Sequence, residues 1–143
     1  MAILVHRAFG DEAANGVAIT RHLYRRSYPA YTVNVQQGEV SVVLPSDSAT
    51  CDQFILHQSG LITGKGTLSL EYVTKSSLTK GKSVLYFGEA QQLATYLEAI
   101  KEHFYHQTTY GKQMDFNDFA LDIEFKLEAK TRKLYIKQAR PFD

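Results

Sequence analysis

A single helical stripe, in a chain otherwise rich in strand-like segments, is the feature that most constrains this fold. Between Glu89 and about His106, apolar residues recur at spacings of three and four; they are Ala90, Leu93, Ala94, Leu97, Ile100 and Phe104. This spacing predicts an amphipathic α-helix with one continuous apolar face. Because most of the remaining chain predicts strands, that face is expected to cover a sheet.

Strand-like segments precede the helix. They share β-branched and aromatic residues, and turn-forming residues separate them. The predicted strands are 2–7, 16–20, 31–36, 39–44, 53–57, 67–73 and 83–87. The Gln37–Gly38 step is compatible with a hairpin turn or with a bulge, and we favour the turn.

Two further strands, 119–127 and 134–142, end the chain. The polar link 128–133 between them is short enough for a hairpin, which predicts an antiparallel pair. No internal repeat, low-complexity tract or linker interrupts the sequence. Residues 1–143 therefore predict one α+β domain, with a predominantly antiparallel sheet covered by one long helix.

Composition narrows the classes of protein to which the chain can belong. Hydrophobic residues make up 44% and charged residues 22%, as in an ordinary globular domain. A formal net charge of +1 argues against nucleic-acid or membrane partners. Cys51, the single cysteine, has no partner for a disulfide or a thiolate metal site. The apolar start, 1–5, is too short for a signal peptide or a membrane span, so we expect a soluble, cytoplasmic protein.

Alternation along the terminal strands brings chemistry-bearing side chains to one face of the sheet. Asp122 and Glu124 share a face of the first strand. Gln138 and Arg140 share a face of the second strand, to which simple alternation also assigns Ile136. Carboxylate and amide oxygens suit Mg²⁺, and arginine grips phosphate oxygens through two donors. These are the residue types that a nucleoside triphosphate site requires.

A solvated strand face is the competing interpretation of the same residues. Alternating charges on an antiparallel strand are commonly exposed to water without further function. An arginine opposite an aspartate commonly forms a cross-strand ion pair. From the residue types alone, this plainer interpretation is the more frequent outcome.

Sequence motifs at both ends of the chain resemble a known family. The segments 121–125 (LDIEF) and 134–141 (LYIKQARP) resemble the closing signature of the nucleotide-binding domain of the phosphoenolpyruvate synthase and pyruvate phosphate dikinase family. Near the start, 2–6 (AILVH) and 15–20 (NGVAIT) resemble that domain's apolar strand and its following Gly-Val-Ala-Phe-Thr-like strand. The segment 38–43 (GEVSVV) resembles its Gly-Glu-x-x-Val segment, whereas 51–82 matches no family motif.

The resemblance implies the C-terminal half of an ATP-grasp domain, with ATP as substrate and Mg²⁺ as cofactor. It assigns Glu124 and Gln138 to magnesium and the polyphosphate, and Arg140 to a phosphate. It makes Asp122 a supporting carboxylate and puts Glu39 at the ribose edge. The hairpin spacer, 128–133, is slightly longer than in the family, which is a change at a loop tip.

The resemblance also implies partners beyond this segment. In that family, the N-terminal half supplies a lysine and an arginine for the phosphates, and ATP-dependent phosphoryl transfer ends on a histidine of a separate domain. None of the five histidines here lies in such a motif, and each is expected to be a surface or packing residue. We therefore expect a fragment that is inactive alone. The alternatives are a free-standing, non-catalytic interaction or regulatory module, and a plain α+β binding domain whose terminal motif arose by chance.

Overall fold

A computed structural model describes the protein over residues 11–42, 48–57, 68–108 and 113–142. Over these ranges the chain forms six strands and one helix. They are β1 Glu12–Ile19, β2 Ala30–Gln37, β3 Asp52–His57, β4 Ser69–Thr74, α1 Phe87–Gln107, β5 Leu121–Glu128 and β6 Leu134–Pro141. All neighbouring strands pair antiparallel, in the order β4-β3-β2-β1-β5-β6. The predicted α+β class, with an antiparallel sheet and one helix, is confirmed.

Helix α1 covers one face of the sheet and closes the hydrophobic core. Its inward residues Leu93 and Leu97 are fully buried and belong to one cluster with Val33, Phe54 and Ile123 from three different strands. Each such side chain contributes about 1.5–3 kcal/mol when it is removed from water. The predicted stripe is therefore the face that packs against the sheet.

A β-bulge in β6 changes which of its residues face the core. Phe125 pairs with Ile136, whereas the residue before it, Glu124, pairs with Gln138. Lys137 is therefore the extra residue of the bulge. The bulge restarts the alternation one residue later. Ile136 therefore packs against the core. The prediction that it shares a face with Gln138 was wrong, because sequence alternation assumes an unbroken strand.

The predicted strand 83–87 was also wrong. Val84 and Leu85 are buried but belong to no strand of the described chain, and helix α1 begins at Phe87. The cause is Asp52, whose buried carboxylate accepts hydrogen bonds from the backbone N–H groups of Ser76 and Val84, both at 2.7 Å. A side chain thus satisfies backbone donors that a strand would have used.

The predicted strand 39–44 is absent over its described part. The chain turns at Gly38, whose φ of 70° is favourable for glycine, and 39–42 form no strand. The Asn15 side chain donates hydrogen bonds to the carbonyls of Gly38 and Val40, both at 2.9 Å. The chain therefore turns at Gly38 as predicted, but the favoured hairpin was wrong over the described residues, because no strand follows the turn. The Asn15 side chain binds carbonyls that a second strand would have paired.

The other predicted strands before and after the helix are present, with boundaries shifted by a few residues. The predicted strand 2–7, and the predicted strand residues 43, 44 and 67, lie outside the described residues. Within the described chain, α1 is not apolar enough to cross a membrane.

Candidate functional site

Four polar side chains meet on the face of the sheet opposite α1. We call Asp122, Glu124, Gln138 and Arg140 the terminal polar cluster. In the β5–β6 register, Asp122 lies directly opposite Arg140, and Glu124 lies directly opposite Gln138. Side chains so paired have Cβ atoms about 5 Å apart. The structure thus brings together the four hairpin residues that the sequence predicted.

Asp122 and Arg140 form an ion pair across the two strands. Asp122 Oδ2 accepts hydrogen bonds from Arg140 Nε at 2.9 Å and lies 2.7 Å from a terminal guanidinium nitrogen. The Asp122 carboxylate raises the pKa of Arg140 above its ordinary value. Because the Arg140 side chain is 60% exposed, the pair contributes little to stability, and its main effect is to orient the guanidinium.

The second oxygen of Asp122 is buried without a hydrogen-bond partner among the described residues. A buried carboxylate oxygen in this state costs about 1–3 kcal/mol, and native structures contain few of them. Both bonds to Arg140 use Oδ2, so Oδ1 keeps its full capacity to accept. Asp122 is therefore held by Arg140 through one oxygen only, and its other oxygen is a buried acceptor whose desolvation no described contact offsets.

Glu124 opens onto a cleft of about 240 Å³ between β1, β5 and the segment after β2. Asn15 and Lys126 line it from the strands, and Ser41 and Val42 line it from that segment. The segment resembling Gly-Glu-x-x-Val therefore does approach the cluster.

Glu39, predicted at the ribose edge, lies exposed in the turn and is not among the residues that line this cleft. The described contacts do not bring Glu39 to the other four predicted residues. Its role at a ribose edge stays a prediction.

Two lysines lie on the same face beside Glu124. Lys126 bonds to the carboxylate of Glu12. Lys137, the bulge residue, is 8% exposed, and burial, together with the charge of Lys126, lowers its pKa against the opposing effect of Glu12. Unbroken alternation would put Lys137 on the face opposite Gln138, so only the bulge reveals that this cation adjoins the cluster.

The oxygen atoms of the cluster suit a hard metal cation that also keeps ligands from outside the protein. Among the described residues, no group of three or more histidine, cysteine, aspartate or glutamate side chains is arranged to hold a metal. The cluster instead offers the Glu124 carboxylate and the Gln138 amide oxygen, which lie directly opposite each other. Mg²⁺ is commonly bound through one or two carboxylates and completed by substrate phosphates and water. The residue types present therefore fit a magnesium ion that keeps water or other oxygen ligands.

The hairpin spacer contributes a structural ion pair that the sequence did not reveal. Arg132 donates from two nitrogens to the two carboxylate oxygens of Glu89, both at 2.8 Å, and to the Val84 carbonyl at 3.0 Å. Burial acts to raise the pKa of Glu89, but Arg132 and the backbone N–H of Tyr86 outweigh it and lower that pKa. These contacts connect the hairpin tip to the start of α1.

The histidines near the sheet pack together, as surface or packing residues do. His22 and His57 both lie edge-on to Tyr28, and His57 Nε2 is 2.8 Å from a Glu71 carboxylate oxygen. Burial and the neighbouring His57 lower the pKa of His22. These contacts give neither ring the exposed setting expected of a phosphoryl acceptor.

Comparison with known proteins adds no family to this description. No protein-family model matches the chain, and no curated protein matches it. The functional interpretation therefore rests on the quoted motifs and on the geometry of the terminal polar cluster.

Proposed function

We propose that this chain is the ATP-binding part of a phosphotransferase resembling phosphoenolpyruvate synthase and pyruvate phosphate dikinase. It holds Mg²⁺-ATP through the polyphosphate at the terminal polar cluster. The phosphoryl group passes to a histidine on a separate domain, joined in the same chain or supplied by another. The observation that carries the proposal is the direct opposition of Asp122 to Arg140 and of Glu124 to Gln138 on one face.

Each residue of the cluster has a role that follows from its donors and acceptors. Glu124 and Gln138 provide oxygens to Mg²⁺, which when bound neutralises charge on the phosphates. Asp122 is a supporting carboxylate beside them, and its Oδ2 orients Arg140. Arg140, oriented by Asp122, directs its exposed guanidinium donors at phosphate oxygens.

The proposal includes a complementary ATP-grasp half. That half contributes the lysine and arginine that the resemblance implies, and the wall that encloses adenine. A site normally buries most of the surface of its ligand. We therefore expect ATP to bind this chain alone with a millimolar dissociation constant, about −4 kcal/mol.

Titration calorimetry with ATP, with and without Mg²⁺, tests the proposal. We expect binding that Mg²⁺ strengthens and that Glu124→Gln or Arg140→Met abolishes. Glu102→Gln is the matched control, because Glu102 is exposed on α1, which covers the other face of the sheet. This control should bind as the wild type does.

The competing function, a non-catalytic interaction module, has the Asp122–Arg140 ion pair as its supporting observation. In that case the pair only joins two strands, and ATP should not bind in a magnesium-dependent way. Micromolar ATP binding that survives Glu124→Gln and Arg140→Met together would instead locate the nucleotide elsewhere on the chain.

A further inference from the structure

Backbone hydrogen bonds between β1, β5 and β6 continue past one end of these three strands. Thr20 N–H donates to the Leu121 carbonyl at 3.0 Å, and Phe142 N–H donates to the Ala120 carbonyl at 3.0 Å. The pairing of β1 with β5, and of β5 with β6, thus continues to the residues that flank these strands. Arg21, which follows Thr20, lies at this shared end of the sheet.

Strand alternation extends the row of side chains formed by Asp122 and Arg140 as far as Phe142. Phe142 is two residues beyond Arg140, and residues two apart on extended chain share a face. Ile19, the last residue of β1, pairs directly with Asp122, and the chain bends at Thr20 and Arg21. The position of Arg21 therefore follows from its contacts and not from alternation.

The contact between Arg21 and Phe142 brings the Arg21 guanidinium to the end of this row. Arg21 Cζ lies 5.3 Å from the centroid of the Phe142 ring. The ion pairs of the described chain involve other cations, and none of them uses Arg21. A guanidinium attracted to an aromatic ring keeps all its N–H donors for other partners, and these donors suit phosphate oxygens.

The backbone around Arg21 is held by side chains from other elements. Thr32 Oγ1 donates to the Arg21 carbonyl at 3.0 Å and accepts from Leu23 N–H at 3.1 Å. The buried Lys101 amine donates to the Thr20 carbonyl at 2.8 Å. A group held in this way loses less conformational entropy when it binds a ligand.

The charge balance of the cluster favours a further cation beside it. Asp122 and Glu124 are two carboxylates, and the one guanidinium among the four residues, that of Arg140, is bonded to Asp122. Of the two lysines beside Glu124, Lys126 is paired with Glu12 and Lys137 is buried, so a further cation would strengthen the attraction to a polyanion. Arg21 supplies a positive charge that takes part in none of the ion pairs of the described residues, although Asp118 lines a cavity with it.

We propose that Arg21 is a second phosphate-binding residue. Together with Arg140, it binds the phosphates of a polyphosphate ligand held at the terminal polar cluster. The inference rests on the proposed function and deepens it. It assigns recognition to the polyphosphate moiety, and it gives this half of the clamp an arginine of its own.

Titration with magnesium tripolyphosphate, followed by calorimetry and phosphorus NMR, tests the inference without adenosine. Arg21→Met keeps the length of the side chain and removes its charged donors, so we expect affinity to fall about tenfold. Arg21→Lys keeps the charge but lacks the planar guanidinium, so its affinity should lie between those of the wild type and Arg21→Met. Arg25→Met is the matched control, because Arg25 Cζ also lies over a ring, that of Tyr28, at 4.3 Å.

The possible outcomes distinguish a failure of this inference from a failure of the proposed function. If Arg21→Met binds tripolyphosphate normally while Glu124→Gln binds it weakly, the inference fails and the proposed function stands. Equal losses in Arg21→Met and Arg25→Met would indicate general attraction to a basic loop and would also overturn the inference. A wild type that does not bind up to about 20 mM overturns both proposals. A well-dispersed proton NMR spectrum for each variant confirms folding.

Discussion

Lys101 is a buried amine whose protonation should make stability depend on pH. Its side chain is 2% exposed, and its Nζ donates to the Thr20 carbonyl at 2.8 Å. Burial disfavours the charged amine more strongly than the carboxylates of Asp115 and Asp118 favour it, and Arg21 adds repulsion. The pKa of Lys101 therefore falls from 10.5 to about 8.

This lowered pKa sets the sign and the size of the effect. The unfolded chain binds this proton more tightly than the folded protein, so the free energy of unfolding rises with pH between about 8 and 10.5. At neutral pH, keeping this amine charged lowers the free energy of unfolding by about 3 kcal/mol, relative to an amine whose pKa does not change on folding. Between about pH 7 and about pH 9.5, the wild type should gain about 2 kcal/mol relative to a variant without the amine.

Urea unfolding of wild type and Lys101→Met, followed by far-ultraviolet circular dichroism across this pH range, measures that gain. The difference between the two proteins cancels the titration of all other groups. A comparison at neutral pH alone is not decisive, because methionine removes the charge but also leaves the buried Thr20 carbonyl without its donor, at about 1–3 kcal/mol. Lys130→Met, in the exposed β5–β6 turn, is the control and should follow the wild type.

Two results would refute the reasoning about Lys101. If wild type and Lys101→Met change in parallel with pH, the amine is not desolvated in the folded protein. If the wild type instead loses stability relative to the variant, the charged form is stabilised on folding. The rings of Tyr31 and Phe116, 5.3 and 4.6 Å from Nζ, and the bond to Thr20 would then outweigh burial.

Three further predictions concern packing, the hairpin and activity. Gly16→Ala should destabilise the fold by about 1–3 kcal/mol in thermal melts, because a Cβ would lie 2.3 Å from the Phe125 ring. Gly88→Ala, with open space around its Cβ, should be neutral or stabilising. In a double-mutant cycle of Arg132→Met and Glu89→Gln, we expect a coupling free energy of about 1 kcal/mol. This coupling should disappear when the pH falls below the lowered pKa of Glu89, and a pH-independent coupling would contradict the prediction. The isolated chain should show no ATP-dependent phosphoryl transfer in a coupled assay, and clear turnover would disprove the need for a complementary half.

Local periodicity by itself determined the helix and most of the strands. The stripe that contains Leu93 and Leu97 can bury only one face, and that requirement predicted α1 and its packing on a sheet. Likewise, alternation along β5 was sufficient to put Asp122 and Glu124 on one face, because a strand alternates its side chains without reference to its partner.

Only the tertiary structure decided which strands are neighbours and where the alternation breaks. Strand β5 pairs with β1, more than a hundred residues earlier, and no local pattern encodes that choice. The bulge at Lys137 depends on the partner strand, since a bulge is a mismatch between two chains. It is this bulge that keeps Gln138 opposite Glu124 while Ile136 faces the core.

Long-range side-chain contacts account for the remaining differences. Asp52 binds backbone donors in 76–84 and so replaces a strand that the apolar residues of 83–87 predicted. Arg21 became a candidate for phosphate binding only when the aligned strand ends brought it over Phe142. Sequence periodicity reports which face of its own element a residue occupies. What lies opposite that face is decided by strand order, register and the packing of distant segments.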